Sequence, residues 1–220
     1  MGRSRLVFLI CVYNEKKTIF KIIRKCKKIG DVIVVDDGSD DGSSINLKKT
    51  KRIYYIKNKS NIGYDKSIRK GFSFAFKKKY KYLVTVDGDN QHKHSDIKKI
   101  SKLITKKYDC VYSIRDNFAN KLELLLSVVT RFKFNVKDIL CGLKAYNLEK
   151  CKSIKNKKSF LNNNIGVFYF LNIIKDKENT TKELKIKIKE RVKDKSRFYR
   201  NFSSNFILIK LSVAILFSSI

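Results

Sequence analysis

The chain has 220 residues, of which 43% are hydrophobic, so it can bury the core of one sizeable domain and is not a disordered protein. Lysine and arginine number 51 against 20 acidic residues, which gives a formal net charge of +31. The basic residues are spread along the whole chain and do not form a single arm. Three origins of this charge stay open: a biased genome composition, attraction to an anionic membrane, and nucleic-acid binding.

The five cysteines are widely spaced and form no Cys-x-x-Cys pair. An odd number of isolated cysteines is typical of buried thiols in a reducing compartment, and it argues against a disulfide framework or a zinc site. The first apolar run ends in Tyr13-Asn14-Glu15 without a small-residue cleavage site. We therefore interpret it as a strand and not as a signal peptide.

The first half of the chain alternates short apolar runs with segments of helical periodicity. The predicted strands are residues 6–13, 32–35, 53–56, 82–87 and 109–114. The predicted helices are residues 16–29, 64–79 and 95–107, and residues 36–42 form a loop by composition. This order predicts an α/β fold with a parallel, doubly wound sheet, in which ligands bind beyond the carboxyl ends of the strands.

The pattern is weaker after residue 115. The expected elements are a helix at 122–129, a loop or strand at 136–146, a helix around 166–174 and a half-exposed strand at 183–192. We place a catalytic domain at residues 1–200 and an apolar tail at 201–220. The apolar part, residues 206–220, falls short of the roughly 20 residues that span a bilayer. A membrane-associated helix is the favoured interpretation, with a packed terminal helix and a truncated anchor as alternatives.

Two pairs of carboxylates follow predicted strands. Asp36 and Asp37 come after the second strand, and Asp87 and Asp89 flank Gly88 after the fourth. Because the carboxyl ends of parallel strands share one edge of a sheet, we expect both pairs at that edge. An Asp-x-Asp turn there can hold a hard divalent cation, which can in turn hold a diphosphate. A solvated β-turn is the alternative reading of the same residues.

A series of motifs occurs in a fixed order along the chain: Val12-Tyr13-Asn14-Glu15, Val34-Val35-Asp36-Asp37-Gly38-Ser39-x-Asp41-Gly42, Asn61-x-Gly63 with Gly71, Asp87-Gly88-Asp89-x-Gln91-His92, Arg115, Asp138-x-x-Cys141-Gly142-Leu143-Lys144 and Arg191-x-x-Asp194-x-Ser196-Arg197. This series resembles family-2 glycosyltransferases of the GT-A fold, and within them the dolichyl- and polyprenyl-phosphate sugar synthases, such as dolichol-phosphate mannosyltransferase. The resemblance implies a Rossmann-like, mostly parallel sheet with helices on both faces, followed here by a short apolar C-terminal helix.

For the donor site, the resemblance implies a nucleotide-diphosphate sugar held through Mg²⁺ or Mn²⁺. Asp89 and Gln91 are the expected metal ligands, and Asp87 contacts the ribose or helps to orient the metal. The other residues expected at the donor are Tyr13, Glu15, Val35, Asp37 and Gly88. Asp89 is also counted as catalytic, because a metal stabilises the charge that develops on the leaving diphosphate.

For the acceptor, the resemblance implies a polyprenyl or dolichyl phosphate. Such a phosphate is already anionic and needs no general base, only cations that bring it to the donor. Arg115, Arg191 and Arg197 are the candidates, since guanidinium groups match phosphate oxygens. A sugar hydroxyl would instead require a carboxylate base, for which Asp138 is the candidate.

Several positions depart from the family pattern. Cys11 stands where a proline is usual, Leu143-Lys144 replaces Phe-Arg, and Asp194 replaces glycine. The helix around residues 166–174 also lacks an expected acidic residue. Most departures fall in the acceptor half, so the donor site is better supported than the identity of the acceptor.

These residues together predict an inverting, metal-dependent glycosyltransferase at the cytoplasmic face of a membrane. It would be peripheral or anchored by its tail, attracted to an anionic membrane surface, and without a nucleic-acid partner. The alternative enzyme transfers the sugar to a glycan or lipopolysaccharide hydroxyl. The alternative of another class is a basic nucleic-acid-binding α/β domain, which has no use for a metal-competent acidic turn.

Overall fold

The computed structural model describes residues 5–118, 121–154, 165–189 and 202–217. Two of the predicted acceptor cations, Arg191 and Arg197, lie outside these residues, and so does the end of the predicted strand 183–192. The described residues form a mixed α/β structure whose strands belong to one sheet.

The strands are β1 Leu6–Val12, β2 Asp31–Asp36, β3 Tyr54–Lys57, β4 Tyr82–Thr85, β5 Cys110–Arg115, β6 Lys144–Asn147 and β7 Thr181–Ile186. The helices are α1 Ile19–Lys27, α2 Ser43–Lys49, α3 Tyr64–Lys77, α4 His94–Lys106, α5 Lys121–Phe134, α6 Leu148–Ile154, α7 Ile165–Lys175 and α8 Phe202–Phe217. The predicted alternation in the first half is confirmed, with shifts of a few residues at the ends. The short helices α2 and α6 were not predicted, because seven residues carry too little periodicity.

The described strands are arranged in the order β3-β2-β1-β4-β6-β5-β7. All neighbouring pairs are parallel except those of β6, which runs antiparallel to β4 and β5. The sheet is therefore mostly parallel, as the family resemblance implied. The reversal arises because the chain reaches Lys144 at the edge where β4 and β5 end and can only run back between them.

The core lies on both faces of the sheet. Alternate residues of β2 enter the two apolar clusters, Val32 and Val34 on one face and Ile33 and Val35 on the other, and all four are fully buried. This continuous apolar run is typical of a parallel strand covered by helices on both sides. Asp36 and Asp37 come at the end of this buried strand and therefore lie at the carboxyl edge of the sheet.

The apolar tail folds as helix α8, which packs against α5. Among the side chains of α8 that the structure describes, those of Leu208, Leu211, Ser212 and Ile215 are buried. Within the described parts of the chain, no helix reaches the length and apolar content that crossing a bilayer requires.

Candidate active site

Three neighbouring strands of the sheet, β2, β1 and β4, end at the same edge and present the predicted donor residues. Asp36 closes β2, Tyr13-Asn14-Glu15 follows β1, and Asp87 and Asp89 follow β4 after Val86. The expectation that both acidic pairs meet at one sheet edge is therefore confirmed by the strand order.

The turn after β4 holds both carboxylates in defined positions. Asp89 is buried, and its Oδ1 accepts a hydrogen bond from the backbone N–H of Gln91 at 3.0 Å. Asp87 is partly exposed, and its Oδ2 lies 3.2 Å from Nε2 of the buried His92. Burial would raise the pKa of Asp87, but the hydrogen bond and charge of His92, with the charges of Lys144 and Arg115, outweigh it and lower that pKa. Asp87 is thus an ionised carboxylate at the sheet edge.

Residues from distant parts of the chain brace this turn. Lys25 of α1 donates from Nζ to Oδ1 of Asn90 at 2.6 Å and to the carbonyl of His92 at 3.0 Å. Asn90 has a left-handed backbone, with φ of 66°, which asparagine tolerates better than most residues. Gln91 pairs with Lys189 through both its backbone carbonyl and its side-chain Nε2, each at 3.0 Å. The turn is therefore tied to the segment that leads toward Arg191.

The loop before β6 covers the Asp87 carboxylate. Gly142 lies so close that a Cβ atom there would collide with both carboxylate oxygens of Asp87. A glycine at this position is what allows the Asp87 carboxylate to lie against the backbone of the loop. Thr85, at the end of β4, donates from its hydroxyl to the carbonyl of Gly142 at 2.7 Å and holds the loop in place.

The loops after β1 and β2 bind each other. Asn14, with a left-handed φ of 55°, donates from its backbone N–H to Ser39 Oγ at 2.9 Å. Its side-chain oxygen accepts from the backbone N–H groups of Asp40 and Asp41. Glu15 lies in the same loop and accepts a hydrogen bond from Thr18 at 3.1 Å. Together these contacts build a rigid rim in which Tyr13 and Glu15 are partly exposed.

The two aspartates that follow one another at the end of β2 have separate environments. Asp36 is fully buried and accepts from Ser39 N, Ser44 Oγ and Tyr55 OH. Asp37 accepts from Asn58 Nδ2 at 2.8 Å and from the backbone N–H groups of Ile62 and Gly63, each at 3.0 Å. Asp36 therefore organises its own loop, whereas Asp37 anchors the start of α3 at the site.

One predicted donor residue does not face the site with its side chain. Val35 is fully buried within β2 and packs in the core, where it pairs in register with Cys11 and Ile56. Any contact of Val35 with a nucleotide would have to involve its backbone. The family motif predicts Val35 at the donor site, but the alternation of side chains along the strand directs this side chain into the core.

Two of the four residues predicted for the acceptor side, Arg115 and Asp138, are paired with each other. Arg115, at the end of β5, donates to Asp138 from Nε at 2.7 Å, from Nη2 at 3.0 Å and from its backbone N–H at 3.1 Å. Asp138 also accepts from the backbone N–H groups of Leu140 and Cys141. Glu123 of α5 approaches the same guanidinium at 3.3 Å. The result is a buried ion cluster beside the metal turn.

This pairing changes the expectation for Asp138. Burial would raise its pKa, but the hydrogen bonds and charge of Arg115 outweigh burial and lower it. A carboxylate with a lowered pKa and five donors is a poor proton acceptor. The geometry therefore does not favour Asp138 as a general base, and it shows Arg115 already engaged by two carboxylates.

Lys144 completes the acceptor side and was noted in the sequence only as a departure. It is buried at the start of β6, and Nζ donates to the carbonyls of Ile139 and Cys141. Burial lowers its pKa, while Cys141, Asp138 and Asp87 act in the opposite direction. Lys144 thus holds the loop that carries Asp138 and Gly142. Like Lys25 and Glu123, it could not be singled out by pattern among so many charged residues.

The residues at the turn fit a divalent metal. Among the described residues, no group of three or more His, Cys, Asp or Glu could hold a metal ion alone. Magnesium and manganese ions are normally bound through one or two carboxylates together with substrate phosphates. Asp87 and Asp89 supply hard oxygen atoms, and the Asp87 carboxylate is partly exposed.

A mostly parallel α/β sheet with an acidic turn at its carboxyl edge is the arrangement of α/β proteins that bind ligands such as nucleotides beyond the ends of their strands. The sequence matches the glycosyl transferase family 2 over residues 7–129, more than half of the chain. A protein of unassigned function from Methanocaldococcus jannaschii is 36% identical over 172 residues, which cover 68% of this chain and 75% of the relative. The chain therefore belongs to glycosyl transferase family 2 and is a glycosyltransferase.

Three further comparisons give one more distant relative in sequence and two solved structures of the same fold. An undecaprenyl-phosphate 4-deoxy-4-formamido-L-arabinose transferase from Pectobacterium atrosepticum is 30% identical over 126 residues, covering 52% of this chain and 38% of that protein. Glucosyl-3-phosphoglycerate synthase from Mycobacterium tuberculosis, in complex with UDP, shares the fold with a TM-score of 0.74 at 13% identity, covering 98% of this chain and 80% of that one. The same enzyme with Mn²⁺, UDP and glucosyl-3-phosphoglycerate gives a TM-score of 0.72 at 13% identity, covering 98% and 79%.

Proposed function

We propose that the chain is an inverting, metal-dependent enzyme that moves a sugar from a nucleotide diphosphate, GDP-mannose or a UDP-hexose, to a polyprenyl phosphate at the cytoplasmic face of a membrane. The observation that carries the donor half is the Asp87-Gly88-Asp89 turn at the strand edge, braced by Lys25 and Gln91. The M. tuberculosis relative of the same fold was solved with Mn²⁺ and UDP, which supports the same kind of donor and cofactor.

The donor residues would act by binding and orientation. Asp89, Asp87 and Gln91 would hold Mg²⁺ or Mn²⁺, which neutralises charge on the departing nucleotide diphosphate. The rim of Tyr13 and Glu15 would border the base and ribose. Asp37 would support this rim through its bonds to Ile62 and Gly63.

The acceptor half is supported by the state of Asp138. A hydroxyl acceptor must lose a proton as it attacks, whereas a phosphate attacks as the anion it already is. Because Asp138 is held ionised by Arg115 and by two backbone N–H groups, it is a weak proton acceptor for a hydroxyl nucleophile. A phosphate nucleophile needs no proton acceptor. The Pectobacterium relative, by its name, transfers to undecaprenyl phosphate. Arg191 and Arg197 stay predicted phosphate ligands.

A second candidate, transfer to a hydroxyl acceptor, is favoured by one observation. Asp65 lies in the first turn of α3, directly after the residues that bind Asp37. Burial raises its pKa to about 6, against the opposing charge of Arg69. A carboxylate with such a pKa is suited to accept a proton near neutral pH. If the acceptor is a hydroxyl, Asp65→Asn should abolish transfer. If the acceptor is a lipid phosphate, transfer should persist in this variant.

A donor-by-acceptor screen tests the proposal. The chain is incubated with radiolabelled GDP-mannose or UDP-hexoses, Mn²⁺ or Mg²⁺, and either polyprenyl phosphate or glycan acceptors. Label that enters organic solvent identifies the lipid phosphate as acceptor. We expect Asp89→Asn to reduce turnover by a factor of about 100 or more, because it removes a charge from the metal site.

Asp176→Asn is the matched control, since Asp176 is exposed and lies in the loop after α7. It should leave turnover unchanged. Full metal-dependent turnover of Asp89→Asn would disprove the assignment of the metal site. Label found only in glycan products would show that the acceptor is a hydroxyl group and not a lipid phosphate.

A further inference from the structure

The exposed large hydrophobic side chains of the described residues are concentrated on two helices. Nine such side chains are exposed, and seven of them belong to α5 or α8. These seven are Leu124, Leu125, Val128, Phe132, Ile209, Val213 and Leu216, and we call them the apolar face. Phe132 is 91% exposed, which leaves almost the whole ring in contact with water. Exposed apolar side chains concentrated on two helices that pack together are typical of an interaction site.

On each helix the exposed apolar residues share one side. Val128 and Phe132 are four residues apart on α5, and Ile209, Val213 and Leu216 follow the same helical spacing on α8. The opposite sides are buried, through residues such as Leu126 and Leu211. Each helix is therefore apolar on two sides, and the folded domain covers only one side of each helix.

The two helices pack against each other, and both carry exposed apolar side chains. The ammonium group of Lys133, at the end of α5, donates to the carbonyl oxygens of Ile215 and Leu216, at 2.6 and 3.0 Å. A cation at the carboxyl end of a helix binds the last carbonyl oxygens and is favoured by the helix dipole. This contact joins the last turns of α5 and α8 into one unit.

The exposed charges that these two helices carry have a single sign. Glu123 is the only acidic residue of α5 and α8, and its side chain is buried against Arg115. The exposed charged residues of these helices are Lys121, Arg131 and Lys210. Exposed apolar side chains on helices whose exposed charges are all basic are typical of helices that lie in the interface of an anionic bilayer. A second copy of this chain would bring the same positive charge.

We infer that α5 and α8 together form an in-plane docking surface for an anionic phospholipid bilayer, with the apolar face inserted among the lipids. This inference rests on the proposed function, because a lipid-linked acceptor requires the site to stay at a membrane. It differs from an anchor made by the tail alone, since α5 belongs to the catalytic domain and contributes four of the seven side chains.

The docking surface adjoins the acceptor side of the site. Glu123, in the first turn of α5, contacts Arg115 at the carboxyl end of β5. The loop of Asp138 and Gly142, which covers Asp87, binds the same arginine. A bilayer against α5 therefore brings lipid phosphates to the edge of the sheet that holds the metal turn.

A single fluorescent probe tests insertion directly. The chain contains no tryptophan, so Phe132→Trp introduces the only indole. With vesicles of phosphatidylcholine and phosphatidylglycerol we expect a blue shift of the emission and quenching by brominated acyl chains. The matched control is Ile45→Trp, at an exposed position of α2 away from the apolar face, whose emission should not change. An unchanged Phe132→Trp spectrum would overturn the inference.

Loss-of-binding variants measure the contribution of the face. Leu124→Ser, Val128→Ser and Phe132→Ser should each reduce partitioning into these vesicles, by about tenfold for the largest side chain. Ile45→Ser removes an exposed apolar side chain elsewhere and should leave partitioning unchanged. Circular dichroism melting verifies that the variants are folded. Equal binding by all variants would overturn the inference.

Two further arms separate this inference from the proposed function and from dimerisation. With a short, water-soluble polyprenyl phosphate analogue, the face variants should retain turnover, whereas with the long-chain acceptor in vesicles they should lose it. Vesicle binding through the face without any lipid-phosphate product would refute the proposed function and keep the docking surface. A sedimentation mass that falls to a monomer in Phe132→Ser, without vesicle binding by the parent chain, would identify a second copy as the occupant.

Discussion

Asp138 and Arg115 illustrate how the environment of a charged residue determines its role. The Asp138 carboxylate accepts from three donors of Arg115 and two backbone N–H groups, so both oxygens are engaged. Glu123 adds a second carboxylate to the same guanidinium, and both acidic side chains are buried. Removing one member of such a cluster leaves an uncompensated buried charge. The cluster therefore stabilises the loop that covers Asp87.

We expect Asp138→Asn to reduce the free energy of unfolding by about 3 kcal/mol at neutral pH. The folded-state pKa of Asp138 is lowered, so its stabilisation is present above the unfolded pKa of about 4 and is lost as pH falls through the lower folded value. The parent chain should therefore lose stability below about pH 4, and the variant should lack this part of the slope. Urea unfolding between pH 3 and 7 measures both effects.

The control for this prediction is Asp176→Asn, at an exposed position, which should change stability by less than about 0.5 kcal/mol. An Asp138→Asn variant with the stability and pH slope of the parent would show that the cluster contributes nothing.

At the scale of elements, the packing of α3 on the sheet depends on one glycine. Gly71 faces Leu9 of β1 so closely that a Cβ atom would collide with the leucine side chain. Helix α3 also carries the Ile62–Gly63 segment at its start, which binds Asp37. A displacement of α3 would thus move the donor rim.

Gly71→Ala should destabilise the fold by about 1 to 3 kcal/mol through overpacking, although alanine favours a helix by about 1 kcal/mol. Gly166→Ala is the matched control, since nothing lies within 4 Å of a Cβ placed there in α7. That variant should be as stable as the parent or more stable by up to about 1 kcal/mol. Thermal unfolding of both variants measures the difference, and equal effects would contradict the contact with Leu9.

At the scale of the whole molecule, the site is assembled from the ends of separate strands. The rim after β1, the Asp37 loop after β2 and the turn after β4 become neighbours only through the strand order. A ligand that bridges these loops stabilises the folded state and not the unfolded chain.

We therefore expect UDP or GDP with Mn²⁺, at about 100 times the dissociation constant, to add about 2.7 kcal/mol of stability. For a domain of this size the melting temperature should rise by about 5 to 10 °C. EDTA or Asp89→Ala should remove the shift, because either one removes the metal link to the diphosphate. A shift for neither nucleotide, or one that persists in EDTA, would contradict metal-linked donor binding.

Much of the donor side could be predicted, because its signals are local. The Asp87-Gly88-Asp89 turn directly follows an apolar strand, and the parallel order of the first strands follows from their alternation with helices. The pairing of Arg115 with Asp138 could not be predicted, since 23 residues separate them and β6 had to reverse direction between β4 and β5. The inward direction of Val35 likewise depends on the pleat and on the helices that cover the sheet.

The sequence by itself predicted the family, the class of fold and the position of the acidic turn at the sheet edge. Periodicity and turn chemistry act over a few residues and are legible in the chain. Tertiary structure alone decided which charges are paired and which apolar surfaces stay uncovered. Lys133 meets Ile215 across 82 residues, and the fold, not the composition, leaves Phe132 exposed. Such contacts join residues that are far apart in the sequence, so they depend on the three-dimensional path of the chain and cannot be recognised from local sequence patterns.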